Sequence, residues 1–231
     1  MVENASAHGQ GGTAVLCSAG LDSVVLLAEE AARGPVTPIY VAVGLAWEHD
    51  EREALRRLLE LPPLAGRTAP ARVVTFDMRD VYPATHWAIR GEPPAYDTPD
   101  EEVYLAGRNL VLITKAAVLC AQLRLSRIVL GPLAGNPFPD ATPAFFEAIA
   151  RAASLGLDAA IAVDAPYRHL EKHEVIARGV ALGVPLHLTL SCMSPREGRH
   201  CGACSKCRER HDAFREAGLE DPTHYLAPSP R

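Results

Sequence analysis

The sequence predicts an α/β protein: a parallel sheet with helices on both faces, followed by a small cysteine-bearing C-terminal lobe. Short, near-continuous apolar runs alternate with amphipathic helical patterns from Thr13 to Leu182. Strands buried on both faces read this way, whereas half-exposed antiparallel strands alternate residue by residue. After Pro185 the composition changes to Cys, Arg and His, which sets residues 186–231 apart from an α/β domain over 13–185. Residues 1–12, small and polar, are expected to form a flexible N-terminus.

The elements follow in order. Thr13 to Ser18 is a short apolar run that ends at a Gly-containing turn, and a helix with Leu21, Val24, Val25, Leu27 and Ala28 on one face runs to Gly34-Pro35. Val36 to Leu45 reads as a buried strand, Glu51 to Leu61 as an amphipathic helix stopped by Pro62-Pro63, and Arg72 to Phe76 as a third strand. From Asp77 to Asp100 the pattern dissolves into a long loop holding Tyr82, His86, Trp87 and Tyr96, either packing plugs or stacking surfaces for a flat base. A helix is predicted over 101–125, a strand over 127–131, then a helix over 143–156, a strand over 159–163 and a helix over 171–182.

Composition excludes several classes. The chain has 231 residues, 28 acidic against 23 basic, and a formal charge of −5, which argues against binding held mainly by neutralised nucleic-acid phosphates. No apolar run approaches the roughly 20 residues of a membrane span. The start, MVENASAHGQGGTAV, has neither the basic nor the apolar region of a secretory signal, so a cytoplasmic location is expected. Six cysteines are too few for a disulfide scaffold in a chain this long.

Ser18-Ala-Gly-Leu-Asp-Ser23 stands where the first strand hands over to the first helix. Unsatisfied N–H groups and the helix dipole favour an anion there, and small residues let the backbone approach a phosphate. Asp22 can hold a metal ion or orient the turn. The turn is neither a Walker A motif nor a G-x-G-x-x-G fingerprint. The plainer alternative is an ordinary strand-to-helix turn with Ser18 as the N-cap.

Cys192-x8-Cys201-x2-Cys204-x2-Cys207 offers four thiolates, the donor set of a closed, structural tetrahedral zinc site. Arg196, Arg199, Lys206, Arg208 and Arg210 interleave with them and are placed to offset the site's negative charge. A redox dithiol and an iron–sulfur cluster are the alternatives. His200 and His211 read as surface or outer residues, and Cys17 and Cys120 as core.

These features together resemble the 7-cyano-7-deazaguanine synthases, the QueC/ExsB family of N-type ATP pyrophosphatases. The resemblance runs through the Ser18–Ser23 turn, Gly107-Arg-Asn109, Ile128-Val-Leu-Gly131, Pro139-Asp140 before Phe145, and Lys172-x-Glu174-Val-Ile. It ends in Ser191-Cys192, the cysteine run, Phe214, Gly218 and Asp221-Pro-Thr223. It implies an adenine nucleotide alpha hydrolase-like, Rossmann-like sheet and ATP-dependent adenylation of a carboxylate on a deazapurine. Attack by ammonia then gives an amide, and a second activation gives a nitrile. It further implies ATP with Mg²⁺ held by Cys17, Ser18, Ala19, Gly20, Leu21, Asp22, Ser23, Arg108 and Gly131. Asp22 and Lys172 would act in catalysis, Asn109 and Asp140 would contact substrate, and Cys192, Cys201, Cys204 and Cys207 would hold one zinc. The implied partners are a small carboxylate and ammonia or another amine, with neither membrane nor stable nucleic-acid binding and with a homodimer possible.

Two departures stand out. The family's usual residue at position 19 is glycine, and alanine there costs roughly 1–2 kcal/mol if φ must be positive. Ala141 and Thr142 replace the Cys and Arg that follow the family's Pro-Asp, in the segment that lines the base pocket. A divergent paralogue is the expectation, its substrate either a different carboxylate or still a deazaguanine, joined to an amine other than ammonia. A tRNA base thiolase and a catalytically silent, zinc-stabilised interaction protein are the rivals.

Overall fold

The computed structural model describes residues 11–227, so residues 1–10 of the expected flexible N-terminus lie outside the described residues. Five strands, β1 (Gly12–Leu16), β2 (Val36–Ala42), β3 (Arg72–Thr75), β4 (Leu125–Val129) and β5 (Ala162–Asp164), form one sheet in the order β3-β2-β1-β4-β5. Every neighbouring pair is parallel, as the apolar runs predict. The helices are α1 (Leu21–Arg33), α2 (Glu48–Leu59), the single turn α3 (Trp87–Arg90), α4 (Arg108–Leu123), α5 (Pro143–Leu157), α6 (Lys172–Ala181) and α7 (Ser205–Glu216).

Successive strand residues point to opposite faces, and the core divides accordingly. Val15, Tyr40 and Val129 pack with α1, α6 and α7 through Val24, Val25, Val175, Ile176 and Phe214. Their neighbours Ala14, Ile39 and Ile128 pack on the other face with Ala116, Ala117 and Cys120 of α4. Phe146 and Ile149 extend that second layer through α5. Among the described residues no helix is long and apolar enough to cross a membrane.

Several boundaries differ from the sequence expectation. The helix predicted over 101–125 starts only at Arg108, because Tyr104 is extended and Gly107 takes φ +75. Residues 100–103 are a separate 3-10 turn. The second strand stops at Ala42, and Gly44 then turns at φ +93. The last strand covers 162–164 rather than 159–163, because the Ser154 hydroxyl binds both the N–H and the C=O of Ile161 at 3.1 Å and uses that stretch to close α5.

The topology places the site. From β1 the chain crosses to β2 on one side, while β4 pairs with β1 on the other. The connections leaving the carboxyl ends of β1 and β4 therefore diverge and open a crevice, where ligands bind in doubly wound sheets. Gly179 lets α6 lie close against α1; a Cβ there would fall 2.8 Å from Val25 Cγ2 and 2.9 Å from Leu186 Cδ2. That approach carries Lys172, the first residue of α6, to the start of α1.

Candidate active site

Two adjoining cavities of about 310 Å³ and 530 Å³ fill the crevice. Cys17, Ser18, Gly20, Asp22, Ser23, Arg108, Asn109, Gly131 and Asp140 line the smaller one. Leu21, Lys172 and Cys192 line the larger, which shares Ser18, Gly20, Asp22, Arg108 and Gly131. Thus the residues singled out in the turn, at 108–109, 131, 140 and 172 converge at one place. Ala19 lines neither cavity and is wholly buried, and Cys201, Cys204 and Cys207 line neither.

The turn is built from its own hydrogen bonds. Gly20, not Ser18, is the N-cap of α1, and no side chain caps the helix. The Ser23 hydroxyl donates to the Gly20 carbonyl at 2.9 Å, and the Cys17 thiol lies 3.6 Å from the Ser23 oxygen. Burial pushes that thiol up to about 11, so it stays a protonated donor. Ala19 takes φ +64, the conformation in which alanine carries a penalty, and Leu190 N–H binds its carbonyl at 2.8 Å.

Charge gathers where α1, α6 and α7 meet. Lys172 Nζ lies 3.2 Å from Asp22 Oδ2 and is also paired with Glu209 Oε1. Burial disfavours the ammonium, yet the two carboxylates outweigh it and hold Lys172 above its ordinary range. The other Glu209 oxygen takes Lys206 Nζ at 2.6 Å. Burial works against Glu209 as an anion, but Lys172 and Lys206 prevail and bring it down to about 2. Asp22 Oδ1 is buried without a partner, as is Arg108 Nε on the facing wall. An orphaned carboxylate oxygen and an orphaned guanidinium N–H suit a phosphate-bound cation and a phosphate or carboxylate oxygen respectively.

Asn109 and Asp140 bind each other. Asp140 Oδ2 accepts the Asn109 backbone N–H at 3.0 Å, and the Asn109 side-chain amide donates to the Asp140 carbonyl at 3.0 Å. Asp140 thereby supplies α4 with the cap that Gly107 lacks. Thr142, where the family has Arg, caps α5 by accepting Phe145 N–H at 3.2 Å. Three of the loop aromatics pack within the protein: Tyr82 is buried, donates to the Ala106 carbonyl at 3.0 Å and stacks on His86, and Trp87 stacks on Trp47. Trp47 and Trp87 still form part of the larger cavity's wall.

Sequence reasoning missed Tyr40, Glu51, Tyr104, Phe138 and Glu209. Tyr104 and Phe138 stack with centroids 5.1 Å apart on the smaller cavity's wall. The Tyr40 hydroxyl donates to Glu51 Oε2 at 2.7 Å, and burial pushes the Glu51 carboxyl up to about 7 although Arg108 and Tyr40 oppose it. The helical spacing of Glu209 from Lys206 was visible in the sequence, but nothing there aimed either residue at Lys172.

The four cysteines meet as their spacing implies. Their sulfurs all lie within 4.8 Å of one another. Cys201 and Cys207 are 3.9 Å apart and Cys204 and Cys207 3.5 Å, near the ~3.8 Å edge of a tetrahedron with 2.3 Å metal–sulfur bonds. Backbone N–H groups of Ser194 and Cys201 point at Cys192 Sγ (3.3 and 3.2 Å), and that of Ala203 at Cys201 Sγ (3.4 Å). The cluster can therefore bind a zinc ion. The interleaved cations turn elsewhere: Lys206 to Glu209, Arg208 to the Tyr96 and Thr98 carbonyls, and buried Arg210 to Thr189, Thr223 and Leu186. Charge at the sulfurs is thus met by backbone N–H groups rather than by those side chains. His200 is buried, and its Nε2 accepts Ser191 N–H at 3.1 Å beside the cluster.

A doubly wound parallel sheet with a small-residue turn, three cations at its switch point and a four-cysteine tail defines the class of this α/β protein. The description "Queuosine biosynthesis protein QueC" matches residues 13–218, and the chain belongs to that family. A 7-cyano-7-deazaguanine synthase from Methanopyrus kandleri is 35% identical over 229 residues, covering 93% of this chain and 98% of that protein. One from Myxococcus xanthus is 34% identical over 227 residues, with 91% and 96% covered. A third, from Methanoculleus marisnigri, is 40% identical over 126 residues, 53% of this chain and 56% of that one.

Proposed function

We propose that the chain is an ATP-dependent ligase that adenylates a carboxylate on a 7-deazaguanine-type base and transfers the acyl group to ammonia or another amine. The observation that carries this is the convergence of the Ser18–Ser23 turn with Arg108 and Lys172 on one crevice, in a chain of the QueC family.

In this reading the substrate carboxylate oxygen attacks the α-phosphorus of ATP, the bond to the β-phosphate bridge breaks, and pyrophosphate leaves. The amine nitrogen then displaces AMP and loses a proton to give the amide. A second adenylation, on the oxygen of the primary amide formed from ammonia, again releases pyrophosphate, and loss of AMP with the amide oxygen and of both N–H protons leaves the nitrile. No protein nucleophile is required; positioning and charge stabilisation supply the acceleration. The open N–H groups at the start of α1 hold phosphate, Asp22 Oδ1 would hold the Mg²⁺ that ATP carries, Lys172 takes charge on the departing pyrophosphate, and Arg108 orients the acyl phosphate or carboxylate. Zinc at the four cysteines is structural.

One observation favours an acceptor other than that of the standard reaction. Thr142, at the position where the family has Arg, is spent on capping α5, and Ala141 has no polar side chain, so the Pro139–Thr142 segment offers the base fewer free polar groups. The deciding assay supplies 7-carboxy-7-deazaguanine, MgATP and ammonia, and follows AMP, pyrophosphate and the base by mass spectrometry. Nitrile formation supports the full reaction. Amide alone, or adducts with another amine, supports the divergent acceptor. No AMP release with any deazaguanine carboxylate defeats the reading.

A further inference from the structure

The first turn of α7 breaks a local rule. Lys206 is the second residue of that helix, and no acidic residue accompanies it there, so a cation sits at the positive end of the helix dipole. Violations of this kind concentrate at functional sites. Lys206 lines both cavities together with Ser18, Gly20 and Asp22 of the turn, and is only partly exposed. Its ammonium lies 2.6 Å from Glu209 Oε2, and Asp100 Oδ1 stands farther off at 3.7 Å. Glu209 Oε1 holds Lys172 at the same time. One carboxylate thus bridges two ammonium groups, as a phosphate group can. Lys206 also stands between Cys204 and Cys207, so the cysteine cluster fixes the turn that presents it.

We propose that Lys206, aimed by Glu209, is a second polyphosphate-binding cation that joins Lys172 in receiving the pyrophosphate leaving group. This rests on the ATP-dependent reading above and adds a residue to it. The N–H groups of the turn and Lys172 address one side of the phosphate chain, and Lys206 approaches from the α7 side. Glu209 is the positioning residue, exchanging its bridge for the incoming anion.

The test is titration calorimetry of Lys206→Met and Lys206→Arg with MgATP, magnesium pyrophosphate and AMP, with bound zinc and thermal midpoint measured on each variant. Losing one charge-assisted contact weakens MgATP and pyrophosphate roughly 10- to 100-fold in Lys206→Met, while AMP, which lacks the leaving phosphates, is unchanged. Lys206→Arg keeps the charge and restores much of the affinity. Unchanged pyrophosphate affinity in Lys206→Met, or an equal loss for AMP, overturns the assignment and leaves the ATP-dependent reading standing. Wild-type protein that binds neither MgATP nor pyrophosphate overturns both.

Discussion

The Ala19 carbonyl accepts the Leu190 N–H at 2.8 Å, which ties the Ser18–Ser23 turn to the segment two residues before Cys192. Ala19 makes that bond at φ +64, with its methyl wholly buried. Three effects bear on Ala19→Gly. Relief of the left-handed conformation gains about 1–2 kcal/mol. Losing the buried methyl costs about 0.8 kcal/mol, and the more flexible unfolded chain costs roughly 0.4–1 kcal/mol. The substitution is therefore expected to be nearly neutral, within about 1 kcal/mol. Ala19→Val adds a β-branched side chain to the same conformation and crowds the core, with an expected loss of about 2–4 kcal/mol. Thermal unfolding of the two variants checks this, and a Val variant as stable as wild type would contradict the geometry.

Asp140 is expected to matter for stability before any ligand is present. Its carboxylate caps α4 through Asn109 N–H, and Asn109 returns a bond to its carbonyl. Asp140→Ala should lose about 1–2 kcal/mol, and Asp140→Asn, which keeps an acceptor, clearly less. Denaturant unfolding of the ligand-free protein measures both. Equal stability of wild type and Asp140→Ala would mean the cap contributes nothing and would return Asp140 to a purely substrate-facing role.

These two residues also mark what the sequence made legible. The strand, turn and helix over residues 12–33 and the cysteine spacing were readable because their signals lie within a few residues of one another. The start of α4 was not, since the apolar pattern of Val103, Tyr104 and Leu105 runs on toward Gly107 while the backbone leaves the helix there. The partnerships of the site were hidden for another reason. Asn109 and Asp140 are 31 residues apart, and Lys172 and Glu209 are 37 apart, so the fold alone brings them together. Charges at 206 and 209 read naturally as neighbours of the cysteines, and only the packing of α7 near α6 turns them toward Lys172.

Metal removal should reach beyond the C-terminal segment. Cys192, Cys204 and Cys207 are buried in the cluster that contains Trp47, Leu190 and the α4 residues Ala116 and Cys120. Without an ion, four thiols crowd a space whose backbone N–H groups are aimed at sulfur. One zinc per chain is expected by elemental analysis, with no visible iron–sulfur absorption. Stripping it with a chelator should lower the thermal midpoint substantially, because binding energy at a structural zinc is folding energy. A metal-free chain with the same midpoint would refute the structural role.

Glu51 gives the protein a pH dependence of defined sign. Tyr40 donates to its carboxylate, while Arg108 and Glu48 influence it from either side, and burial raises it from 4.5 to about 7. A carboxyl group raised on folding binds its proton more tightly in the native state. The stability it contributes is therefore complete below about pH 4.5 and disappears as pH rises through about 7. The move from 4.5 to about 7 corresponds to roughly 3 kcal/mol. Glu51→Gln is neutral at every pH and keeps an oxygen to accept from Tyr40, so it escapes this loss. The variant should gain on wild type from about pH 5 to about pH 7 and level off above that in denaturant unfolding of the ligand-free protein. Parallel pH profiles for the two proteins would show that Glu51 is ionised throughout that range, and that Arg108 outweighs burial at this wall of the crevice.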